Sequence, residues 1–228
     1  MKTPRLEGVR YARFMRPRSR IFLLSPAYCG GERARLFWNP RSTFELAQRL
    51  RSPEGAPLGD VFSFLSGLYF RGKLAYAREF AAPPPGVPGA LVITPNEGLR
   101  SPDEPITAAR LKRFARGDID LKKRSYRQPL LRDARLIAEA AGDSYEVVLL
   151  GSVASGKYVD VLLKVFGERL VFPISFVGRG DMSRGGLMLR CARSGVELDY
   201  VPVAGAVRHG PRPPKLPPLP RRPLEPGP

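Results

Sequence analysis

Apolar positions along the chain gather into short continuous runs, and between the runs they recur at helical spacing. Arg20 to Ser25 is such a run, closed by Pro26, and Ala90 to Thr94 is another, closed by Pro95. Tyr145 to Leu150 ends at Gly151, and Arg169 to Phe176 ends near Gly178. Short apolar runs bounded by Gly or Pro predict buried strands. A further strand is predicted within Glu197 to Val203. The helical spacings predict Thr43 to Arg51, opened by Ser42 or Thr43 as a cap, and Leu68 to Phe80, stopped by Pro83-Pro84-Pro85. They also predict Thr107 to Arg116 with Thr107 as N-cap, Leu130 to Ala141 ending at Gly142, and Val159 to Phe166. Strands that alternate with helices predict an α/β fold, here a single three-layer domain over residues 19–205 with a mainly parallel sheet of four or five strands. The sequence shows no internal repeat.

Outside that domain the composition changes. Residues 1–18 read as a basic arm, and residues 206–228 as a disordered Pro/Arg-rich tail in which nine of the eighteen positions from Pro211 to Pro228 are proline. Ala81 to Gly89, with four prolines, reads as a surface loop between the Leu68 helix and the Ala90 strand. Pro217 to Arg222 matches the PxxPxR pattern that aromatic-grooved domains bind. In so Pro- and Arg-rich a chain, chance accounts for that match more simply than a protein partner.

Charge changes the picture more. Across 228 residues, 38 Lys+Arg stand against 21 Asp+Glu, a formal net charge of +17. A surface that basic attracts polyanions, so nucleic acid or nucleotide is the expected partner. A GC-rich genome also encodes Arg, Pro and Gly heavily, which is the competing explanation. Two cysteines, Cys29 and Cys191, and one histidine, His209, cannot build a closed four-ligand zinc site or a disulfide framework. No metal and no cofactor is expected. No apolar run approaches the roughly twenty residues that span a bilayer, and the run at Ile21 is too short for a secretory signal. The expectation is a soluble, cytoplasmic protein with no membrane partner.

Four segments are candidates for chemistry. Gly151-Ser152-Val-Ala-Ser155-Gly156-Lys157 fits GxxxxGK directly after a strand, where backbone amides cradle a phosphate and the lysine reaches it. The next residue is Tyr158, which cannot replace the Mg²⁺-binding Ser/Thr, so a phosphate-holding turn is expected rather than an NTPase loop, and a plain strand-to-helix turn is the alternative. Phe176 to Gly186 reads as a glycine-rich loop carrying Arg179, Asp181, Ser183 and Arg184. There the arginines would fork a phosphate, while Asp181 would orient a sugar or stabilise a developing cation as the catalytic residue. Ser25 to Arg33 follows a strand and contains Tyr28 and Cys29. A nucleophilic role for Cys29 lacks a nearby base, because His209 lies next to the tail. Phe62 to Lys73 interleaves aromatics with Arg71 and Lys73, so Tyr69 and Arg71, with Tyr28, are candidates for base stacking, against the simpler reading of core packing at helical spacing. In a parallel α/β sheet ligands bind beyond the carboxyl ends of the strands, where the Ser25 loop, the Thr94 to Gly98 loop, the Gly151 loop and the Gly178 loop would all open. Arg110 to Arg135 holds ten basic residues and three acids, and Lys122, Lys123 and Arg124 are its candidate nucleic-acid backbone contacts.

Leu68 to Arg78 and Leu91 to Pro102 together resemble a set of bacterial α/β proteins without assigned function. In these a helix of the same pattern precedes a strand and a Gly-Leu-x-x-Pro turn. That set is distantly similar to the glycosylase-like domains attached to archaeal tRNA-guanine transglycosylases. The likeness covers about 35 residues and implies base or nucleotide handling. Charge and resemblance together predict a nucleotide- or nucleic-acid-acting α/β protein that cleaves or exchanges an N-glycosidic bond. The alternative is a non-catalytic nucleic-acid-binding module using residues 110–135.

Overall fold

A computed structural model describes residues 19–217, so the basic arm 1–18 and the last eleven residues of the tail lie outside the described residues. In chain order the first half holds β1 (Ser19–Leu24), α1 (Glu32–Trp38), α2 (Glu45–Arg51), β2 (Ala56–Pro57), α3 (Leu58–Ser66), α4 (Leu68–Phe80), β3 (Ala90–Ile93) and β4 (Leu99–Arg100). The second half holds β5 (Pro105–Ile106), α5 (Ala108–Ala115), α6 (Arg124–Ala141), β6 (Tyr145–Leu150), α7 (Gly156–Phe166), β7 (Leu170–Pro173), α8 (Asp181–Ser194) and β8 (Tyr200–Pro202).

The main sheet runs in the order β4-β3-β1-β6-β7-β8. Its four middle strands are parallel, and β4 and β8 pair antiparallel at the two edges. It therefore has six strands rather than four or five. The extra strand is β4, two residues long, and a two-residue pairing leaves no apolar period in a sequence. A separate antiparallel pair joins β2 to β5.

Strand alternation divides the core into two. Phe22, Leu24, Val92, Val148, Leu150 and Val171 point to one face and pack with α3, α4 and α8; Ile21, Leu23, Leu91, Val147, Leu149 and Phe172 point to the other and pack with α6 and α7. Helices on both faces of one sheet make three layers.

The parallel strands are laid down outward from β1, first to β3 on one side and then to β6 and β7 on the other. The connections thus reverse direction between β1 and β6. Leu24 lies level with Leu150 and Val92 in the sheet register, so the loops after these strands begin side by side. Crevices at such a reversal are where open α/β sheets bind ligands.

Several local expectations change. The strand expected over Arg169 to Phe176 is β7 alone, Leu170–Pro173, and the helix expected from Val159 begins at Gly156. α2 begins at Glu45, and neither Ser42 nor Thr43 caps it, since Phe44 occupies the cap position. α6 begins at Arg124, well before Leu130, and runs through Pro129. Most consequentially, the glycine-rich stretch from Asp181 onward is helix, with Gly185 and Gly186 inside α8. The described part of the tail has no helix or strand. It lies against α8, where Arg179 donates to the Pro214 carbonyl at 3.4 Å and Arg190 to that of Pro217.

Candidate functional site

The reversal point opens as a cleft of 270 Å³ whose lining includes Tyr28, Cys29, Pro95, Gly117, Lys157 and Tyr158. Tyr28 is 79% exposed. Its ring folds over Gly30 and Gly31, and a Cβ on Gly30 would lie 2.8 Å from the Tyr28 Oη, so the bare glycine is what allows the ring to lie there. Cys29 is buried; its thiol donates to the Ala27 carbonyl at 3.5 Å, and burial pushes it up to about 12. A thiol so hard to ionise is a poor nucleophile.

On the other wall, β6 passes through Gly151 into α7. Gly151 is packed so closely on the end of β1 that a Cβ there would approach that of Ser25 to 2.9 Å. No residue from 151 to 157 takes a positive φ. The loop therefore lacks the alternating right- and left-handed backbone of an anion nest. What it offers instead is the start of α7, where Ser155 holds the cap position without a side-chain hydrogen bond, leaving the first amides uncapped. Lys157 stands on this first turn and lines the cleft. Asp160 shares the turn, 2.4 Å from where a Gly156 Cβ would sit, and opposes part of that positive potential. Ser152 is half-buried and Ser155 exposed. Tyr158 packs inward, its phenol pushed up by burial, and takes no metal-ligand role.

Beside the cleft lies a polar cluster set by a close helix crossing. α4 and α8 meet at Gly72 and Gly185: a Cβ on Gly72 would lie 2.5 Å from the Gly185 carbonyl, and one on Gly185 would lie 2.6 Å from the Leu68 carbonyl. Bare backbones at that contact bring the neighbouring residues, Tyr69 and Lys73 on α4 and Asp181 and Arg184 on α8, into one electrostatic cluster. Lys73 is fully buried. Its Nζ donates to the Ser25 Oγ at 2.9 Å and to the Ser25 carbonyl at 2.5 Å, and lies 4.3 Å from the Tyr69 ring centroid. Burial drives its pKa down to about 7, Asp181 acting against that shift and Arg184 with it. The Tyr69 hydroxyl is buried close to Arg184 and Ser25, and burial pushes it up to about 12 against their effect.

The two arginines of this region are engaged by the protein. Arg184 is 9% exposed and donates from Nε and Nη2 to the Phe176 carbonyl, at 3.2 and 3.0 Å, while its Nη1 lies 3.7 Å from Asp181. Arg179 donates to the Ser175 carbonyl at 3.0 Å and to the Ser183 Oγ at 3.1 Å. Arg179 and Ser183 line a groove under the tail, separate from the cleft that holds Lys157. Asp181 is exposed on the first turn of α8. Arg71 is exposed on α4 and does not line the cleft.

The candidate residues thus divide among three places. Tyr28 and Lys157 line the cleft; Tyr69, Asp181 and Arg184 form the adjacent cluster; Arg179 and Ser183 belong to the tail groove. Lys122, Lys123 and Arg124 are exposed just ahead of and at the start of α6. The sequence pattern sets Lys73 beside Arg71 among the aromatics of Phe62 to Lys73 and gives Ser25 no role. The available signal was that Lys73 falls on the apolar stripe of α4 with Tyr69, Phe70, Tyr76 and Ala77. Among the described residues no group of three His, Cys, Asp or Glu side chains is placed to hold a metal, and no helix is long and apolar enough to cross a membrane. Comparison with protein families, curated proteins and solved structures finds nothing that matches this chain.

Proposed function

We propose that the protein binds a nucleotide in the crevice between the ends of β1 and β6 and cleaves or exchanges its N-glycosidic bond. The observation that carries this reading is the pairing, across one cleft at the sheet's reversal point, of the uncapped α7 start and Lys157 with the exposed ring of Tyr28. The first suits a phosphate and the second the face of a base. A cleft of 270 Å³ holds one end of a nucleotide and leaves the rest over Tyr28. The resemblance of residues 68–102 supports base handling, and Asp181 beside the cleft is the group that would steady positive charge developing on the sugar.

A nucleoside 5′-monophosphate should bind more tightly than the same nucleoside, and Lys157→Ala should cost that difference, about 1.5–3 kcal/mol for a charged hydrogen bond. Calorimetry with the paired ligands measures it; equal affinity for both removes the phosphate from the proposal. Asp181→Ala should suppress base release, followed chromatographically, while leaving nucleotide affinity within about threefold.

The exposure of Lys122, Lys123 and Arg124 supports a second reading, a non-catalytic nucleic-acid-binding module. In that case Asp181→Ala changes nothing and affinity follows the α6 cations.

A further inference from the structure

The phosphate-and-base reading makes no use of Lys73. A buried lysine ordinarily faces a carboxylate that offsets the loss of water. Here its hydrogen-bond partners are the neutral carbonyl and hydroxyl of Ser25, and its remaining N–H side faces the rings of Tyr69 and Phe70, at 4.3 and 4.9 Å. The charged groups that face it come from α8: Asp181 favours the ammonium and Arg184 disfavours it. From its own helix comes the Tyr69 hydroxyl, which lies by Ser25 and Arg184, and the Tyr158 phenol of α7 stands near Tyr69 and Asp181 in turn. An amine so placed gains and loses its proton near neutrality, where an ordinary lysine does not.

Ser25, itself 5% exposed, stands between this amine and the crevice along the chain. It is the residue directly after β1, and the next residue, Pro26, is the first of the cleft lining. Its Oγ accepts from Lys73 and keeps its own proton to give away.

We propose that Lys73 and Ser25 are the proton-transfer pair of the site, protonating the departing base as the N-glycosidic bond breaks; this inference rests on the nucleotide reading above. The C–N bond electrons go to the base nitrogen, which takes the Ser25 hydroxyl proton, and the Lys73 ammonium replaces that proton and becomes a neutral amine. Water then bonds through its oxygen to the sugar carbon, and its released proton returns through Ser25 to Lys73. The balance is N-glycoside plus water giving sugar phosphate plus free base. In exchange, the N–H of an incoming base takes the place of water. Ser25, which meets the base, is the catalytic residue, and Lys73 acts through it.

The test uses the full chain and inosine 5′-monophosphate. Lys73→Met, Lys73→Arg and Ser25→Ala should each lower kcat for hypoxanthine release by roughly 10²- to 10⁴-fold. KM and the binding constant should stay within about threefold, which a merely structural lysine would not produce. The ¹⁵Nζ resonance of Lys73 should titrate near neutral pH, and the limb of the kcat–pH profile at that pH should vanish in Lys73→Arg, the variant that keeps a cation in place if Lys73→Met does not fold. Unchanged kcat in folded variants, or a Lys73 amine titrating in the ordinary lysine range, overturns the inference alone, with nucleotide binding intact. Absence of nucleotide binding or of base release by the wild-type protein overturns the underlying reading, and the pair falls with it.

Discussion

Lys73 carries a positive charge into the interior, and its stability signature follows from that. An unfolded lysine titrates near 10.4, whereas burial lowers the folded value to about 7. Between those limits the unfolded chain binds a proton that the folded chain does not, so stability must rise with pH, by up to about 1.4 kcal/mol per unit. The contribution is complete above the unfolded value and is lost as pH falls through the folded one. Cys29 acts in the opposite sense: its raised pKa makes the folded state lose stability as pH climbs past the ordinary thiol value. The buried phenols of Tyr69, Tyr126 and Tyr158 do the same at higher pH. The raised Cys191 thiol acts like Cys29, so the window in which Lys73 dominates runs from about pH 7 to about pH 8. Urea unfolding across that window should show wild-type stability rising and Lys73→Met nearly flat. Equal slopes in the two proteins would mean that the amine is not desolvated.

At the scale of elements, the α4–α8 crossing sets the position of the cluster. Gly185→Ala places a methyl against two backbone atoms, the Leu68 carbonyl at 2.6 Å and the Tyr69 Cα at 2.8 Å, neither of which can rotate aside. The helices must separate, at a cost of about 1–3 kcal/mol or more. Gly186→Ala, the next position in α8 with only the Leu216 side-chain tip at 3.6 Å, is the control and should keep or raise Tm, because Ala is the better helix former. Equal melting of the two variants would refute the close crossing. The same glycines explain where the sequence was illegible. Gly185 and Gly186 read as loop because glycine is a poor helix former, and the compensating contact with Gly72 is more than a hundred residues away in the chain. Pro129 likewise hid the first turns of α6, which Tyr126 anchors by donating from its buried side chain to the Lys157 carbonyl at 2.8 Å. By contrast, α4 and β6 have the ends that apolar spacing predicted, Leu68–Phe80 and Tyr145–Leu150, because the pattern there is uninterrupted and both buried faces belong to the main cores. The starts of the loops after β1 and β6 follow from the same apolar runs, whereas the stretch from Asp181 does not, being helix. The proton pair was not legible, because Ser25 and Lys73 meet only when β1 and α4 pack together.

Across the whole molecule, the question is how much of the +17 is free to meet a polyanion. Of the basic residues from Arg110 to Arg135, several are already engaged by acids. Arg110 pairs with Glu97 and Glu104, both at 2.6 Å, Arg113 with Glu97 at 3.5 Å, and Arg132 with Asp133 at 2.7 Å. Burial would raise Glu97, but Arg110, Arg100 and Arg113 hold it below its usual range. Lys123 lies 3.9 Å from Asp118, a loose and exposed pair that a phosphate can displace at little cost. Under the nucleic-acid reading, the exposed run Lys122-Lys123-Arg124 is the group of cations proposed to contact a phosphate backbone. Each phosphate neutralised releases counterions and adds roughly −0.7 to −0.9 to the slope of log K against log salt. Three cations then predict a slope near −2 to −3 for single-stranded RNA or DNA. The triple alanine replacement should flatten that slope by about two and weaken all sequences alike, whereas Arg110→Ala should change stability rather than the slope. Fluorescence anisotropy over a salt series distinguishes these outcomes. If the wild-type protein shows no affinity even at low salt, its net charge reflects codon composition, and the small nucleotide in the β1–β6 crevice is the polyanion that remains.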